Sequence, residues 1–306
     1  MIIQKISQTI WTILLAVCLL ACVTTQAAES EVTERGIPAV QLNNGYEMPQ
    51  LGLGTWRLTP EEAENSTYHA LKYGARLIDT ARYYGTEAAV GRAVRRAIEE
   101  GICAREEVYI TTKISPGQGW DYAEMIREAN ETIGLGYIDM MMVHHSVPGE
   151  FELYRAIEDA IDEGIVRSLA ISNYYTPEEY ERITEGARYL PAVIQNENHP
   201  YYQNTALKEY VAKDGVILES YYPLGGRGHT QDFFENPVIA ALSQKYGKSP
   251  AQILLRWHIQ AGYIAIPGSS NPEHIAENLD IFDFELTQED MDPIYDMNTG
   301  IRYETW

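Results

Sequence analysis

Arg76-Leu-Ile-Asp79-Thr80-Ala81-Arg82-Tyr83-Tyr84-Gly85 is a short apolar run that ends in residues able to carry a charge, a proton or a hydrogen bond. The same construction recurs in Val108-Tyr-Ile-Thr-Thr-Lys113, Asp139-Met-Met-Met-Val-His144 and Leu169-Ala-Ile-Ser172-Asn173. Runs of this kind can be buried on both faces, as parallel strands must be. In a barrel of parallel strands, all the C-terminal strand ends open onto one face, where chemistry takes place. Asp79, Tyr84, Lys113 and His144 can therefore meet in one pocket although they are far apart in the chain.

Outward from these runs, strand and helix signals alternate. Leu42 to Trp56 reads as a hairpin, turned at Asn44-Gly45, followed by a first strand. Thr59, Pro60 and Glu62 form a cap, a helix-starting proline and a capping box for a helix that runs to about Tyr73. Strands are expected over 76–80, 108–113, 137–144, 168–172, 192–196, 216–221 and 263–267. Helices are expected over 87–100, 122–133 and 151–163. Thr176, Pro177 and Glu179 repeat the first helix start, and Asn271-Pro272-Glu273 opens a late one. Eight strands alternating with helices predict a single-domain α/β fold, a (β/α)8 TIM barrel with an N-terminal β-hairpin. An open doubly wound sheet would carry Gly-x-Gly-x-x-Gly after its first strand, and Gly52-Leu-Gly54-Thr-Trp56-Arg57 lacks the third glycine.

The 306 residues, 45% hydrophobic and 22% charged, suit one barrel. A formal charge of −21 argues against a nucleic-acid partner, because phosphate contacts need clustered cations. Of three cysteines, Cys18 and Cys22 lie in the N-terminal apolar stretch, which leaves Cys103 alone in the body. No disulfide and no cysteine-type metal site is expected there. Ile10 to Ala21, preceded by Lys5, suits a signal-peptide core and is too short to span a bilayer. Leu19-Leu-Ala-Cys22 resembles a lipobox, and Thr25-Gln-Ala27 offers ordinary cleavage before Ala28. The expected division is a signal segment over 1–27, a linker over 28–36 and the barrel over 37–306. That division makes the protein exported, periplasmic or anchored to a membrane by lipid on Cys22. If the segment is not a functional signal, the protein is cytoplasmic.

Asp79-Thr-Ala-x-x-Tyr84-Gly-x-Glu87-x-x-Val90-Gly91, with Lys113 and His144 following in order, resembles the aldo-keto reductase family over roughly Ile37 to Asn298. The resemblance implies reduction of a small aldehyde or ketone by hydride from NADPH or NADH. It implies Tyr84 as proton donor, Lys113 lowering its pKa, Asp79 pairing with Lys113, and His144 orienting the substrate oxygen. A free tyrosine has a pKa of about 10, so a nearby cation would help it act at neutral pH. Ser172, Asn173 and Gln195 match positions that hold the nicotinamide carboxamide, and Tyr221 matches the ring that stacks on it. Gly54-Thr55-Trp56 matches the end of the first strand, with Thr55 at the cofactor and Trp56 walling the substrate. Pro223–His229, with Leu224 and Arg227, would cover the pyrophosphate. Ser269, His274, Glu277 and Asn278 would lie on the adenosine side.

Singly, each tetrad residue has an ordinary reading. Asp79 can cap a turn, Tyr84 is one of 22 tyrosines, Lys113 can snorkel at a strand end, and His144 can be a satisfied strand-end histidine. Four of them at strand ends in the family's order carry the functional reading.

The chain also departs from the family's pattern. Many members carry lysine at the position of Gly268 and arginine at that of His274, cations that hold the 2′-phosphate of NADPH. Their loss predicts a weakened NADPH preference, with Arg227 able to compensate. Tyr222 stands where serine is frequent. The chain after Met297 is short, which predicts an open substrate site. The expected protein is a monomeric enzyme. The alternative is a non-catalytic nicotinamide-binding barrel acting as a sensor or binding subunit. A barrel lyase or isomerase finds no support beyond the lone Lys113.

Overall fold

The computed structural model describes residues 36–304. The signal segment, its cleavage sites and the linker through 35 lie outside the described residues. β1 (Ala39–Gln41) and β2 (Glu47–Pro49) pair antiparallel, and Gly45 in the turn between them has φ +89°. From the hairpin, Leu42 just past β1 and Met48 of β2 cluster with Leu77, Tyr109, Met140, Met142, Ala170 and Val193 from the strands that follow. The hairpin thus plugs the bottom of the barrel.

Eight parallel strands follow: β3 (Gly52–Gly54), β4 (Leu77–Asp79), β5 (Tyr109–Ile114), β6 (Ile138–Val143), β7 (Val166–Ser172), β8 (Val193–Glu197), β9 (Ile217–Tyr221) and β10 (Ile264–Ala265). Each pairs with the next in sequence. The circle closes where Leu51 bridges Ala265 in parallel and the Ala265 N–H donates to the Gln50 carbonyl at 2.8 Å. The helices are α1 (Pro60–Lys72), α2 (Glu87–Glu99), α3 (Tyr122–Ile133), α4 (Glu150–Asp162), α5 (Pro177–Thr184) and α6 (Thr205–Val211). After β9 come α7 (Thr230–Phe234), α8 (Pro237–Tyr246) and α9 (Pro250–Gln260). After β10 come α10 (Pro272–Leu279) and α11 (Gln288–Tyr295).

The strands are short and buried on both faces. Every residue of β6 is buried, so its three methionines fill two different layers. Met140 and Met142 point to the barrel interior, and Met141 packs outward with Ile78, Ile110, Ile171 and Ile194 against the helices. Both capping boxes expected from sequence form, Thr59 with Glu62 and Thr176 with Glu179. Strand ends differ from expectation by one or two residues, the usual reach of end fraying. Gly91 of the sequence signature is a packing residue. A Cβ there would lie 1.9 Å from the Ile133 carbonyl oxygen, so only glycine lets α2 approach α3.

Candidate active site

Asp79 is the last residue of β4, and Lys113 sits one residue before the end of β5. Both are buried, Asp79 at 2% exposure and Lys113 at 0%. The Lys113 ammonium donates to both Asp79 oxygens at 2.6 and 2.7 Å and to the Thr80 carbonyl at 2.9 Å. Asp79 Oδ1 also accepts from the Thr111 hydroxyl at 2.6 Å and from the Gln195 amide at 2.9 Å. Lys113, Thr111 and Gln195 together satisfy both oxygens of this carboxylate inside the barrel.

Tyr84 reaches the site from a 3-10 turn over Arg82–Tyr84, closed by Gly85 at φ +70°. The loop is tied down by hydroxyls, Thr80 to Thr86 at 2.7 Å and Thr55 to Thr86 at 3.2 Å. The Tyr84 ring lies 4.6 Å from the Trp56 ring and meets the His144 ring edge-on at 5.7 Å. Lys113 Nζ stands 5.1 Å from its centroid. Tyr83, the neighbour most easily mistaken for it, is 75% exposed. His144 follows β6 directly. Its ring stacks on His145 at 4.3 Å, and its Nδ1 lies 3.3 Å from the Ser115 hydroxyl.

The electrostatics differ from expectation at one point. Burial pushes the Tyr84 hydroxyl well above the usual tyrosine range, and Asp79, Tyr222 and Glu219 push it the same way. The expected lowering by Lys113 is not seen, because that cation is neutralised by Asp79 within hydrogen-bond distance. Tyr84 is therefore firmly protonated. Burial lowers His144 to about 2, helped by Lys113 and His145, so its imidazole is neutral.

A cavity of about 790 Å³ runs from Trp56, Tyr84 and His144 to His274, Glu277 and Asn278. That volume lies within the range of cofactor sites. Ser172, Asn173, Gln195, Tyr221, Leu224, Arg227 and Ser269 line it between those ends. Thr55 does not line it. Its hydroxyl turns into the wall and donates to the Asp79 carbonyl at 2.9 Å. Lys113 lies beneath the lining, not in it. The Asn173 amide nitrogen donates to the His144 carbonyl at 2.9 Å, and its oxygen accepts from the Tyr221 and Tyr175 hydroxyls. Asn173 thus braces the ring of Tyr221.

The lining fits an extended dinucleotide: amide and hydroxyl groups come from Ser172, Asn173 and Gln195, a guanidinium from Arg227, and His274 from the first turn of α10, where backbone N–H groups favour anions. Among the described residues, three of the four non-glycine residues at positive φ line this cavity: Arg57, Asn173 and Tyr222. Strained backbone tends to gather at functional sites. Gly226 is required here, since a Cβ would lie 2.4 Å from the Tyr222 ring.

Sequence reasoning missed three features. Glu219, fully buried in β9, accepts from the Gln195 amide at 2.8 Å. Its only signal was a lone acid inside an apolar strand. Tyr222 reaches across the cavity wall to donate to Glu304 at 3.0 Å. The short tail is also more than an absent wall. The Tyr303 and Glu304 N–H groups donate to the buried Glu197 carboxylate at 2.6 and 2.8 Å, and the Tyr303 ring stacks on His229. No local pattern marked these contacts to Glu197, which span more than a hundred residues.

A model of the aldo/keto reductase family matches residues 50–298. The NAD(P)H-dependent D-xylose reductase I,II of Candida tropicalis is 35% identical, over 87% of this chain and 94% of its own. An aldo-keto reductase from a Medee basin deep-sea metagenome superposes with a TM-score of 0.80 at 36% identity, covering 87% of this chain and 97% of its own. An aldo-keto reductase of Bombyx mori, solved in complex with NADP, gives a TM-score of 0.79 at 31% identity, covering 87% and 94%.

Proposed function

Since the chain belongs to the aldo/keto reductase family and is an oxidoreductase that reduces carbonyl compounds with NADPH or NADH, we propose that Asp79, Tyr84, Lys113 and His144 carry the reaction. The nicotinamide, when bound, supplies the hydride to the carbonyl carbon. As the carbonyl π electrons move to oxygen, Tyr84 gives its hydroxyl proton to that oxygen. His144 is neutral, and with Nδ1 near Ser115 its Nε2 is available to donate a hydrogen bond to the same oxygen. Lys113 and Asp79, ion-paired at 2.6 Å, form a rigid floor of no net charge beneath the Tyr84 ring. Trp56 and Tyr83 wall the substrate side. Gln195 still has its amide oxygen to accept from a carboxamide, because its amide nitrogen is engaged below.

The observation that carries the reading is the buried Lys113–Asp79 pair directly under Tyr84, with His144 across the same cavity. Tyr84→Phe tests it. The change removes one hydroxyl and keeps the ring, so cofactor binding by fluorescence titration should persist while aldehyde reduction is lost. A Tyr84→Phe enzyme with near wild-type turnover would refute the assignment and turn attention to Tyr83.

The phosphate end supports a relaxed cofactor choice. Gly268 presents no side chain and His274 is an exposed imidazole, so Arg227 is the guanidinium left to meet a 2′-phosphate. A relative that uses either cofactor, by its name, is consistent with this reading. We further propose a monomer that is exported or lipid-anchored through Cys22, supported by the apolar run Ile10–Ala21 and the Leu19–Cys22 sequence. Cell fractionation of wild type and Cys22→Ser decides between anchoring, release and retention.

A further inference from the structure

Glu219 lies on the inward face of β9, level with Gln195 on β8 and Ile264 on β10. It is 0% exposed, and among the described residues its Oε1 has no hydrogen-bond partner. Its Oε2 accepts from Gln195 Nε2 at 2.8 Å, and the same nitrogen donates to Asp79 Oδ1 at 2.9 Å. One amide therefore links two buried carboxyl groups. The Lys113 ammonium is already held by both Asp79 oxygens and the Thr80 carbonyl, so among the described residues Glu219 has no counter-ion of its own. An ionised carboxylate in that position would be costly, and a neutral acid is the cheaper state.

We propose that Glu219 is a positioning residue for proton transfer: tied through Gln195 to the Asp79–Lys113 pair, it holds Tyr84 in its acid form and biases the site towards carbonyl reduction. The proposal rests on the reading of Tyr84 as proton donor. Burial, with Asp79 beside it, raises Glu219 to about 8. Its proton is thus lost in mildly alkaline solution, before that of Tyr84. The charged and titratable groups that act on it are Asp79 from β4, Lys113 and Tyr109 from β5, and Tyr84. While Glu219 is neutral, the Asp79–Lys113–Glu219 cluster carries no net charge. Once it ionises the cluster carries −1, and a negative charge under Tyr84 makes the phenol harder to ionise. Reduction needs the phenol and alcohol oxidation needs the phenolate. Glu219 therefore opposes the loss of the proton donor as pH rises.

The test is Glu219→Gln in the full chain, with pH profiles of aldehyde reduction and alcohol oxidation and with denaturant stability at pH 6 and pH 9. Rates are normalised to each protein's own plateau. The alkaline limbs of both reactions should move down by about half a pH unit, roughly threefold in rate at a fixed pH on the limb. Wild type should lose stability between pH 6 and pH 9, since its folded state holds a proton that the unfolded chain releases. The variant should lose less. Coincident limbs overturn the proposal even if the stability slopes differ, because Glu219 then titrates without acting on Tyr84. Equal stability slopes overturn it as well. Tyr84→Phe, run in parallel, separates the two readings. If it is inactive while the Glu219→Gln limbs are unmoved, only the positioning role falls. If it is active, the tetrad reading falls and this one with it. Should Glu219→Gln not fold, Glu219→Thr, neutral and at home in a strand, is held to the same criteria.

Discussion

Lys113→Met should separate the structural from the chemical work of the buried pair. The ammonium makes contacts to Asp79 at 2.6 and 2.7 Å and to Thr80 at 2.9 Å, all inside the barrel. Methionine fills similar space but leaves Asp79 without its counter-ion. Breaking a buried ion pair by removing one partner costs about 3–5 kcal/mol. Thr111 and Gln195 still donate to Asp79, which places the expected loss near the lower end, about 3 kcal/mol. For a domain of this size that lowers Tm by roughly 6–12 °C. Asp79→Asn combined with Lys113→Met removes the stranded charge, so the double variant should recover about 2 kcal/mol over the single one. Urea unfolding followed by tryptophan fluorescence is the assay, with the buried Trp257 as reporter. Turnover should fall by about 100-fold or more in both variants, because Tyr84 loses the ion pair that positions it. A single variant within about 1 kcal/mol of wild type, or a double variant no more stable than the single, would refute the reasoning. A fully active Lys113→Met enzyme would refute the proton-transfer role.

Other outcomes follow from the same site. His274→Arg should shift relative affinity towards NADPH by about tenfold or more, as one charge-assisted phosphate contact contributes about 1.5–3 kcal/mol. Cofactor titrations on both proteins check it, and an unchanged NADPH to NADH ratio would show that the phosphate lies elsewhere. Gly268→Lys is the less clean partner, because its Cβ would meet the Gly54 carbonyl oxygen at 3.1 Å. His144 is held neutral in the folded protein, at about 2, while an unfolded histidine takes up a proton near 6.5. Its contribution is complete above pH 6.5 and is lost as pH falls, amounting to about 2 kcal/mol by pH 5. His144→Gln should lose that much less on acidification in urea titrations at pH 7 and pH 5, and parallel losses would contradict the assignment. Because His144 and Tyr84 titrate on opposite sides of the neutral range, wild-type kcat for reduction should stay flat from pH 5 to pH 7. A limb near 6.5 would point to a charged imidazole in the reaction.

Much of the architecture is local and was legible in the chain. Strand β6 is apolar at every position but Asp139, which marks a strand buried on both faces. Thr59-Pro60 and Thr176-Pro177 start helices through contacts three residues long. The spacing from Asp79 to Tyr84 is set by one short turn, so the order of the tetrad is written along the chain itself. What tertiary structure alone decided depends on closing the barrel. Only when Leu51 meets Ala265 do β8 and β9 bring Gln195 and Glu219 within reach of Asp79, 116 residues away from Gln195. The sign of the Tyr84 shift also belongs to the closed barrel. Lys113 is near enough to favour a phenolate, but Asp79 cancels its charge and burial then dominates. Thr55 turned into the wall for the same kind of reason, since its hydroxyl found the Asp79 carbonyl and Thr86 before any ligand. Propensity and capping act over a few residues and survive in a one-dimensional reading. Charge, burial and hydrogen-bond satisfaction are sums over every group the fold gathers, and no stretch of the chain contains them.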